Sequence, residues 1–122
     1  MKNNKKILIV DDNIDIVNFL SNFLERFNIK VIKAKNANEA LEFFSLNRPE
    51  IVLLDIQMPD RDGISVLKEI LDISPKTKVF MLTAKSEEFL QKEAKEIGAI
   101  DYIIKPIDLA VLVKKIRRYI DI

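Results

Sequence analysis

Short, unbroken apolar runs alternate with amphipathic helical patterns along this chain, and this alternation restricts the fold most strongly. The runs lie at positions 7–10, 51–54, 79–82 and 102–104. A strand that is apolar at every position has both faces buried, so these runs predict a parallel sheet with helices on both sides. Right-handed βαβ connections then give a doubly wound α/β fold. We expect residues 1–122 to form one domain, because this length is typical of a single domain.

Helical periodicity fills the segments between these runs. Helices are predicted within 13–27, 36–46, 64–73, 86–97 and 108–121, and a short alternating strand at 30–34. The first helix is expected to bury one stripe, which consists of Ile16, Phe19, Leu20, Phe23, Leu24 and Phe27. The expected helix ends are Asp12 or Asn13, Asn36 with Glu39 in capping-box spacing, Ser86, Asp108 and the terminating glycine Gly98. In the loop 58–63, Gly63 is free to adopt positive φ.

The composition excludes several kinds of chemistry. Lys and Arg number 20 against 19 Asp and Glu, so the net charge of +1 gives no strong field for nucleic acid or an anionic membrane. Cysteine and histidine are both absent. Disulfides, thiolate catalysis and imidazole metal ligands are therefore excluded, and any phosphohistidine involved must belong to another molecule. The basic run Lys114, Lys115, Arg117 and Arg118 is expected to complement the dipole of the last helix and stay solvated, with partner docking as a second use.

Membrane association is not expected. No apolar run approaches the roughly 18 residues that a membrane span requires. The first six residues are basic in character, but the apolar run after them has four residues and ends in two aspartates. A signal peptide needs an apolar region of about 7–15 residues. The sequence therefore predicts a cytoplasmic protein.

Polar side chains follow the apolar runs at the point where each predicted strand ends. Asp11 and Asp12 follow the first run, Asp55 the second, Thr83 the third and Lys105 the fourth. The carboxyl ends of parallel strands share one edge of the sheet, so these side chains are expected to meet in one cleft. Clustered carboxylates favour a hard divalent cation such as Mg²⁺, which prefers oxygen ligands. The sequence thus predicts a magnesium-dependent aspartyl-phosphate site.

Each of these residues also has an ordinary structural explanation. Asp11 and Asp12 are suited to cap the first helix, and Asp55 to end a strand in a turn. Lys105 alone would be a solvated strand end, and Thr83 a β-branched strand residue. Together they match phosphoryl transfer better. Asp55 would be the carboxylate nucleophile, Lys105 a positive charge for a phosphoryl oxygen, and Thr83 a hydroxyl donor.

With these residues in place, the chain resembles the response regulator receiver domains, the phosphoacceptor modules of two-component signalling. The motifs are I-L-I-V-D-D-N at 7–13, D-I-Q-M-P-D-R-D-G at 55–63, L-T-A at 82–84 and D-Y-I-I-K-P at 101–106. The resemblance covers about residues 5–121. It implies a flavodoxin-like, five-stranded parallel sheet in the order 2-1-3-4-5, with two helices on one face and three on the other. Arg61 departs from the pattern, because family members often have an apolar residue there.

The resemblance also implies a metal site. Asp12 would bind Mg²⁺ directly, Asp11 mainly through a water molecule, and Asp55 through its carboxylate. The backbone carbonyl of Gln57 would be the remaining protein ligand. Mn²⁺ is an alternative ion for the same site.

The transfer and switching roles follow from the same resemblance. Asp55 would be the phosphorylated residue, and Thr83 and Lys105 would bind the phosphoryl group. Tyr102 would be the aromatic residue that turns inward as Thr83 moves, and the Lys105–Pro106 bond would be cis. Phosphorylation is then expected to change the surface formed by residues 86–97, 101–104 and 108–121, for partner binding or dimerisation.

The resemblance implies partners on both sides of the reaction. A sensor histidine kinase or a histidine phosphotransfer protein would supply the phosphoryl group. Downstream, we expect a target protein if the chain acts alone, or a fused effector domain if it is part of a longer regulator. Direct binding to nucleic acid is not expected.

Three other functions are consistent with part of this pattern. A phosphatase of the haloacid dehalogenase type also uses an aspartyl nucleophile and magnesium, but it needs a second carboxylate where this chain has Gln57. A flavin-binding module needs a phosphate loop rich in Gly, Ser and Thr, whereas this chain has Asp11, Asp12 and Asn13. A receiver that acts only by binding usually lacks one of the key residues, and here all are present. We therefore expect a signalling switch and not a turnover enzyme.

Overall fold

A computed structural model describes residues 5–122, and the first four of the six N-terminal residues considered above lie outside the described residues. The strands are β1 (Lys6–Val10), β2 (Lys30–Ala34), β3 (Ile51–Asp55), β4 (Lys78–Ala84) and β5 (Asp101–Lys105). The helices are α1 (Ile14–Glu25), α2 (Ala37–Asn47), α3 (Gly63–Ile73), α4 (Glu88–Ile97) and α5 (Leu109–Ile116). The predicted alternation is confirmed. Within residues 5–122, no helix combines the length and the apolar character that crossing a membrane requires.

The sheet is parallel throughout and has the strand order β2-β1-β3-β4-β5. This is the order that the resemblance implied. The chain runs outward from β1 to β2 and then returns to β3 on the other side of β1. The carboxyl ends of β1 and β3 therefore border the topological switch point, where open α/β sheets form a crevice.

Apolar side chains fill a separate core on each face of the sheet. Buried residues of α1 and α5 pack against one face, and those of α2, α3 and α4 pack against the other. Every residue of β3 is buried, as are the last four of β1. Continuous apolar runs predict this double burial, and the two-and-three arrangement of helices is confirmed. Each fully buried Val, Leu or Ile contributes about 1.5–3 kcal/mol to stability.

The buried stripe of α1 differs from the predicted one. Phe19 was expected in the core, but it is 52% exposed. The buried positions are Val17, Leu20, Ser21 and Leu24, which follow the spacing i, i+3, i+4, i+7. Because this helix packs on the sheet through one face, it buries the stripe that begins at Val17, and Phe19 points away from that stripe.

Most of the predicted helix ends are confirmed. The side chains of Asn13, Asn36 and Asp108 cap α1, α2 and α5 by accepting hydrogen bonds from backbone N–H groups of the first turn. Each cap satisfies donors that have no partner within the helix. Gly98 ends α4 with φ of 137°, a conformation that favours glycine.

Two predicted details of helix capping are wrong. Glu39 was expected to complete a capping box with Asn36, but its carboxylate accepts a hydrogen bond from the N–H of Lys35 at 3.0 Å. Ser86 was expected to cap α4, but Glu87 occupies the N-cap position and its side chain makes no capping bond to the helix. The Glu87 carboxylate is held by other donors, described below.

Gly63 is required for a reason other than positive φ. Among the glycines, only Gly98 has a positive φ in the described residues, so the expectation for Gly63 is wrong. A Cβ atom on Gly63 would overlap the carbonyl oxygen of Asp55 and lie 2.8 Å from Cα of Ile56. Its N–H donates to the carbonyl of Ile56 at 2.8 Å. Glycine therefore allows α3 to begin directly against the end of β3.

Candidate functional site

The carboxyl edge of the sheet brings the predicted polar residues to one region. Asp11 directly follows β1, and Asp12 lies on the turn into α1. Asp55 and Lys105 are the last residues of β3 and β5, and Thr83 is the next-to-last residue of β4. The four apolar runs all end at this edge of the sheet, so the pattern of the sequence positions the site.

Three carboxylates form the centre of this region. One oxygen from each of Asp11, Asp12 and Asp55 lies within 4.8 Å of the others. Asp11 is 1% exposed and Asp55 6%, whereas Asp12 faces solvent. Asp11 Oδ1 accepts a hydrogen bond from the N–H of Asn13 at 2.9 Å. Buried carboxylates this close repel one another and require positive charge nearby.

Lys105 supplies one positive charge. Its Nζ lies 2.8 Å from Asp11 Oδ2 and 3.5 Å from Asp55 Oδ1. Burial lowers the pKa of Lys105, but the contact with Asp11 and the charges of both aspartates outweigh burial and raise this pKa above its usual value. Lys105 is therefore protonated at neutral pH. The peptide bond from Lys105 to Pro106 is cis.

Asp55 has an unusually high affinity for a proton. Burial, and then the charge of Asp11, raise the pKa of Asp55 from 3.8 to about 6. Lys105 and the N–H of Gln57, which donates to Asp55 Oδ1 at 3.2 Å, act in the opposite direction. At neutral pH Asp55 is mostly ionised, as a carboxylate nucleophile must be.

The residues present fit a divalent cation in charge and in donor type. Three carboxylates and one ammonium leave a charge of about −2, since −3 plus +1 is −2. The buried Asp11 Oδ2 accepts no aligned hydrogen bond in the described part of the chain, although Lys105 Nζ is close to it. Carboxylate oxygens are the ligands that Mg²⁺ prefers. Asp11, Asp12 and Asp55 can therefore hold such an ion.

Thr83 contacts residues at the start of α4 and not the three aspartates of the site. Thr83 is 1% exposed. Its hydroxyl lies 3.0 Å from Oε1 of Glu87, and it accepts a hydrogen bond from Nε2 of Gln91 at 3.3 Å. The sequence did not predict these two partners. The available signal was a glutamate four residues after Thr83.

Tyr102 lies between two lysines. Nζ of Lys95 and of Lys115 lie 5.5 and 5.4 Å from the centre of its half-buried ring, within the range of cation–π attraction. Both amines pair with Asp101, at 3.7 and 3.1 Å. Burial raises the pKa of Asp101, but hydrogen bonds from Tyr102 N–H and Lys115 lower it below its usual value. The expectation that Lys115 is solvated is therefore wrong.

The loop after β3 is tied down on both sides. The carboxylate of Asp60 accepts a hydrogen bond from the N–H of Ala37 at 3.0 Å, at the start of α2. Arg61 forms an ion pair with Glu69 and donates to Ser65 Oγ at 3.0 Å, both on α3. Arg61, which departs from the family pattern, thus lies along the surface of α3. Neither anchor is visible in the sequence, because each joins segments whose contact depends on the fold.

The fold and the acidic site define a class of protein. The chain belongs to the response regulator receiver domain family, whose model matches residues 7–117. The resemblance carried by the sequence motifs is thereby confirmed. Receiver domains are the phosphoacceptor modules of two-component response regulators, so this chain is a signalling domain.

Individual relatives support the same assignment. The chain is 43% identical over 103 residues to the alkaline phosphatase synthesis transcriptional regulatory protein PhoP of Bacillus subtilis, covering 84% of this chain and 43% of that protein. It is 34% identical over 117 residues to sporulation initiation phosphotransferase F of the same organism, covering 96% and 94%. The chain thus spans less than half of PhoP and nearly all of phosphotransferase F.

Solved structures agree with these sequence relatives. Chemotaxis protein CheY4 of Vibrio cholerae superposes with a TM-score of 0.89 at 28% identity, covering 97% of this chain and 100% of that one. A two-component response regulator from Clostridium difficile gives 0.90 at 30% identity, covering 95% of each chain. The flavodoxin-like fold is confirmed.

Proposed function

We propose that Asp55 accepts a phosphoryl group from the phosphohistidine of a sensor histidine kinase or a histidine phosphotransfer protein, in a magnesium-dependent reaction in the cytoplasm. The observation that carries this proposal is the position of the Asp55 carboxylate, which lies beside Asp11 and Asp12 and 3.5 Å from the Lys105 amine. These 122 residues contain no histidine, so the donor histidine lies outside them.

The transfer step uses the ionised carboxylate of Asp55. One of its oxygens attacks phosphorus, and an O–P bond forms as the N–P bond to the donor imidazole breaks. The electron pair of that bond stays on the imidazole nitrogen. Lys105 stands close enough to Asp55 to neutralise an oxygen of the incoming phosphoryl group. Positioning and charge neutralisation are most of what such a transfer requires.

The metal ligands in this proposal are Asp11, Asp12 and Asp55 together with the backbone carbonyl of Gln57. When bound, Mg²⁺ supplies the positive charge that the phosphoryl oxygens require. Mn²⁺ also accepts oxygen ligands and would serve as a substitute. The net negative charge of the three carboxylates and Lys105 supports this assignment.

The proposed output is a change in the surface formed by α4, β5 and α5. Met81 is paired with Tyr102 and Thr83 with Ile104, so Thr83 and Tyr102 project from the same face of neighbouring strands. A phosphoryl group on Asp55 would draw Thr83 toward it, and Tyr102 would turn into the vacated space. Such a local charge event biases a two-state element.

The partners that read this surface are also proposed. PhoP is a transcriptional regulatory protein more than twice the length matched here, whereas phosphotransferase F is nearly the same length as this chain. These relatives support either a fused effector domain or a separate target protein. In both cases we propose a switch that is phosphorylated and dephosphorylated, and not a turnover enzyme.

Phosphorylation by acetyl phosphate tests the proposal. The wild type is expected to take up one acid-labile phosphate in the presence of Mg²⁺ and none in EDTA, and Asp55→Asn is expected to take up none. Asp72→Asn, which changes an exposed aspartate on α3, is the matched control and should behave as the wild type. Uptake by Asp55→Asn, or steady hydrolysis of a simple phosphate monoester by the wild type, would contradict the proposal.

A further inference from the structure

We propose that Glu87 is a positioning residue for this reaction. In the unphosphorylated protein its carboxylate binds the hydroxyl of Thr83, and a phosphoryl group on Asp55 has to displace it. The inference rests on the proposed function, in which Asp55 carries the phosphoryl group and Thr83 binds it. It adds an internal competitor for the Thr83 hydroxyl.

A single oxygen of Glu87 binds two donors at the end of β4. Oε1 accepts hydrogen bonds from the Thr83 hydroxyl at 3.0 Å and from the Ala84 N–H at 2.7 Å. Hydrogen bonds to an ionised carboxylate are roughly twice as strong as neutral ones. The N–H of Glu87 also donates to the carbonyl of Ala84 at 3.0 Å, which closes the turn into α4. The Glu87 carboxylate therefore binds the Thr83 hydroxyl and the Ala84 N–H in the way that an oxygen of another anion would.

The Thr83 hydroxyl can donate its single proton to only one acceptor at a time. The hydroxyl has one proton and two acceptors within reach, the Glu87 carboxylate at 3.0 Å and the Ala84 carbonyl at 3.2 Å. The ionised carboxylate is the stronger acceptor. A proton that is bound to Glu87 is not available to a phosphoryl oxygen on Asp55.

Gln91 fixes the orientation of the hydroxyl. Gln91 is 5% exposed, and its Nε2 donates to the Ala84 carbonyl at 3.0 Å and to Thr83 Oγ1 at 3.3 Å. A carbonyl can only accept, so the amide nitrogen must face it. Thr83 Oγ1 thus accepts from Gln91 and has its proton directed to Glu87. Phosphoryl binding requires the Glu87 contact to break, while the Gln91 contact to Ala84 can stay.

Beryllofluoride with Mg²⁺ tests this competition without covalent chemistry, because it forms a phosphoryl-like adduct on a carboxylate. Its affinity is measured by titration calorimetry at pH 7.5 for the full chain. Glu87→Gln keeps the shape of the side chain but removes the charge, so binding is expected to tighten by about tenfold, the effect of weakening one charge-assisted hydrogen bond. Glu88→Gln removes the same charge from an exposed neighbour and is expected to change affinity by less than about twofold.

A second variant and a second background separate this role from a structural one. Glu87→Asp keeps the charge but is too short to reach both donors, so it is expected to tighten binding also. In a Thr83→Ala background, Glu87→Gln is expected to tighten binding by less than about threefold, because only the Ala84 contact remains. If Glu87 acted only through the stability of the fold, its replacement would change beryllofluoride affinity equally with and without the Thr83 hydroxyl.

Each outcome decides between the two proposals. Three results would overturn the inference while leaving Asp55 as the phosphoacceptor. They are equal beryllofluoride affinity in Glu87→Gln and Glu88→Gln, no tighter binding in Glu87→Asp, and the same gain in affinity from Glu87→Gln with and without Thr83→Ala. If the wild type neither binds beryllofluoride nor takes up phosphate, the proposed function itself fails, and the inference fails with it.

Discussion

Replacing Asp55 with Asn is predicted to stabilise the metal-free protein at neutral pH, although it removes the proposed phosphoacceptor. Burial and the charge of Asp11 raise the pKa of Asp55 from 3.8 to about 6. At pH values between 3.8 and about 6, Asp55 keeps its proton in the folded protein, whereas in the unfolded chain it has released that proton. Because the unfolded state then binds fewer protons, stability falls as the pH rises through this interval, and the loss is complete above about pH 7.

The size of the effect follows from the same shift. A rise from 3.8 to about 6 corresponds to about 3 kcal/mol at roughly 1.4 kcal/mol per pKa unit. An asparagine at position 55 keeps an acceptor for the N–H of Gln57 but loses the ion pair with Lys105. Lys105 still pairs with Asp11, whose carboxylate lies 2.8 Å from its amine. We therefore expect a gain of about 1–3 kcal/mol at pH 7.5, or about 4–12 °C in Tm for a domain of this size.

Thermal unfolding in EDTA, followed by circular dichroism at several pH values, measures this gain. At pH 4.5 it is expected to be about a third of its value at pH 7.5, because Asp55 is then mostly protonated in the folded wild type. Asp12→Asn, which removes the exposed carboxylate of the same cluster, is the control and should gain less than about 1 kcal/mol. An Asp55→Asn protein no more stable than the wild type at pH 7.5, or a gain independent of pH, would refute the reasoning.

Three further predictions concern the metal, the loop and the core. Mg²⁺ should raise the Tm of the wild type in proportion to the logarithm of its concentration and have little effect on Asp12→Asn, as differential scanning fluorimetry would show; equal shifts would contradict the metal site. Gly63→Ala should lower both Tm and phosphate uptake, because its Cβ overlaps the Asp55 carbonyl; normal uptake would argue against this close approach. Leu112→Ala should lower the free energy of unfolding, measured by urea denaturation, by about 2–5 kcal/mol, because Leu112 is fully buried. The control Val111→Ala should lower it by less than about 1 kcal/mol, because Val111 is 43% exposed. Similar losses in the two variants would contradict the burial of α5 in the core.

The architecture was predictable because burial on both faces leaves few alternatives. The runs at 7–10 and 51–54 are apolar at every position, and both are completely buried. Such strands require helices on each side, and the alternating pattern supplies those helices. The positions of Asp11 and Asp55 at the ends of these runs follow directly, since a charged residue ends an apolar strand.

Features that depend on contacts between distant segments were not predictable in the same way. Phe19 fits the helical period, but its exposure depends on how α1 is rotated on the sheet. Gly63 follows a loop that suggested a turn conformation, whereas the actual constraint is the nearby carbonyl of Asp55. Lys115 fits a solvated run, but it reaches Asp101 and the carbonyl of Tyr102 on the adjacent strand.

The start of α4 shows how a local rule can give the wrong answer. Ser86 is a good N-cap residue by type, and Glu87 is well suited to the first turn. The donors at the end of β4 bind the Glu87 carboxylate instead, and the helix begins one residue beyond it. Sequence motifs located the Thr83 side chain, but the direction of its hydroxyl is set by these tertiary contacts.

Identifying the phosphorylated residue after borohydride reduction tests the assignment of Asp55 as the phosphoacceptor most directly. Borohydride converts an aspartyl phosphate to homoserine, which peptide mass spectrometry can locate in the wild type treated with acetyl phosphate. We predict homoserine at position 55, formed with Mg²⁺ and not with EDTA. Homoserine at Asp11, Asp12 or another aspartate, or none in a folded protein that has Mg²⁺ and acetyl phosphate, would contradict the assignment of Asp55.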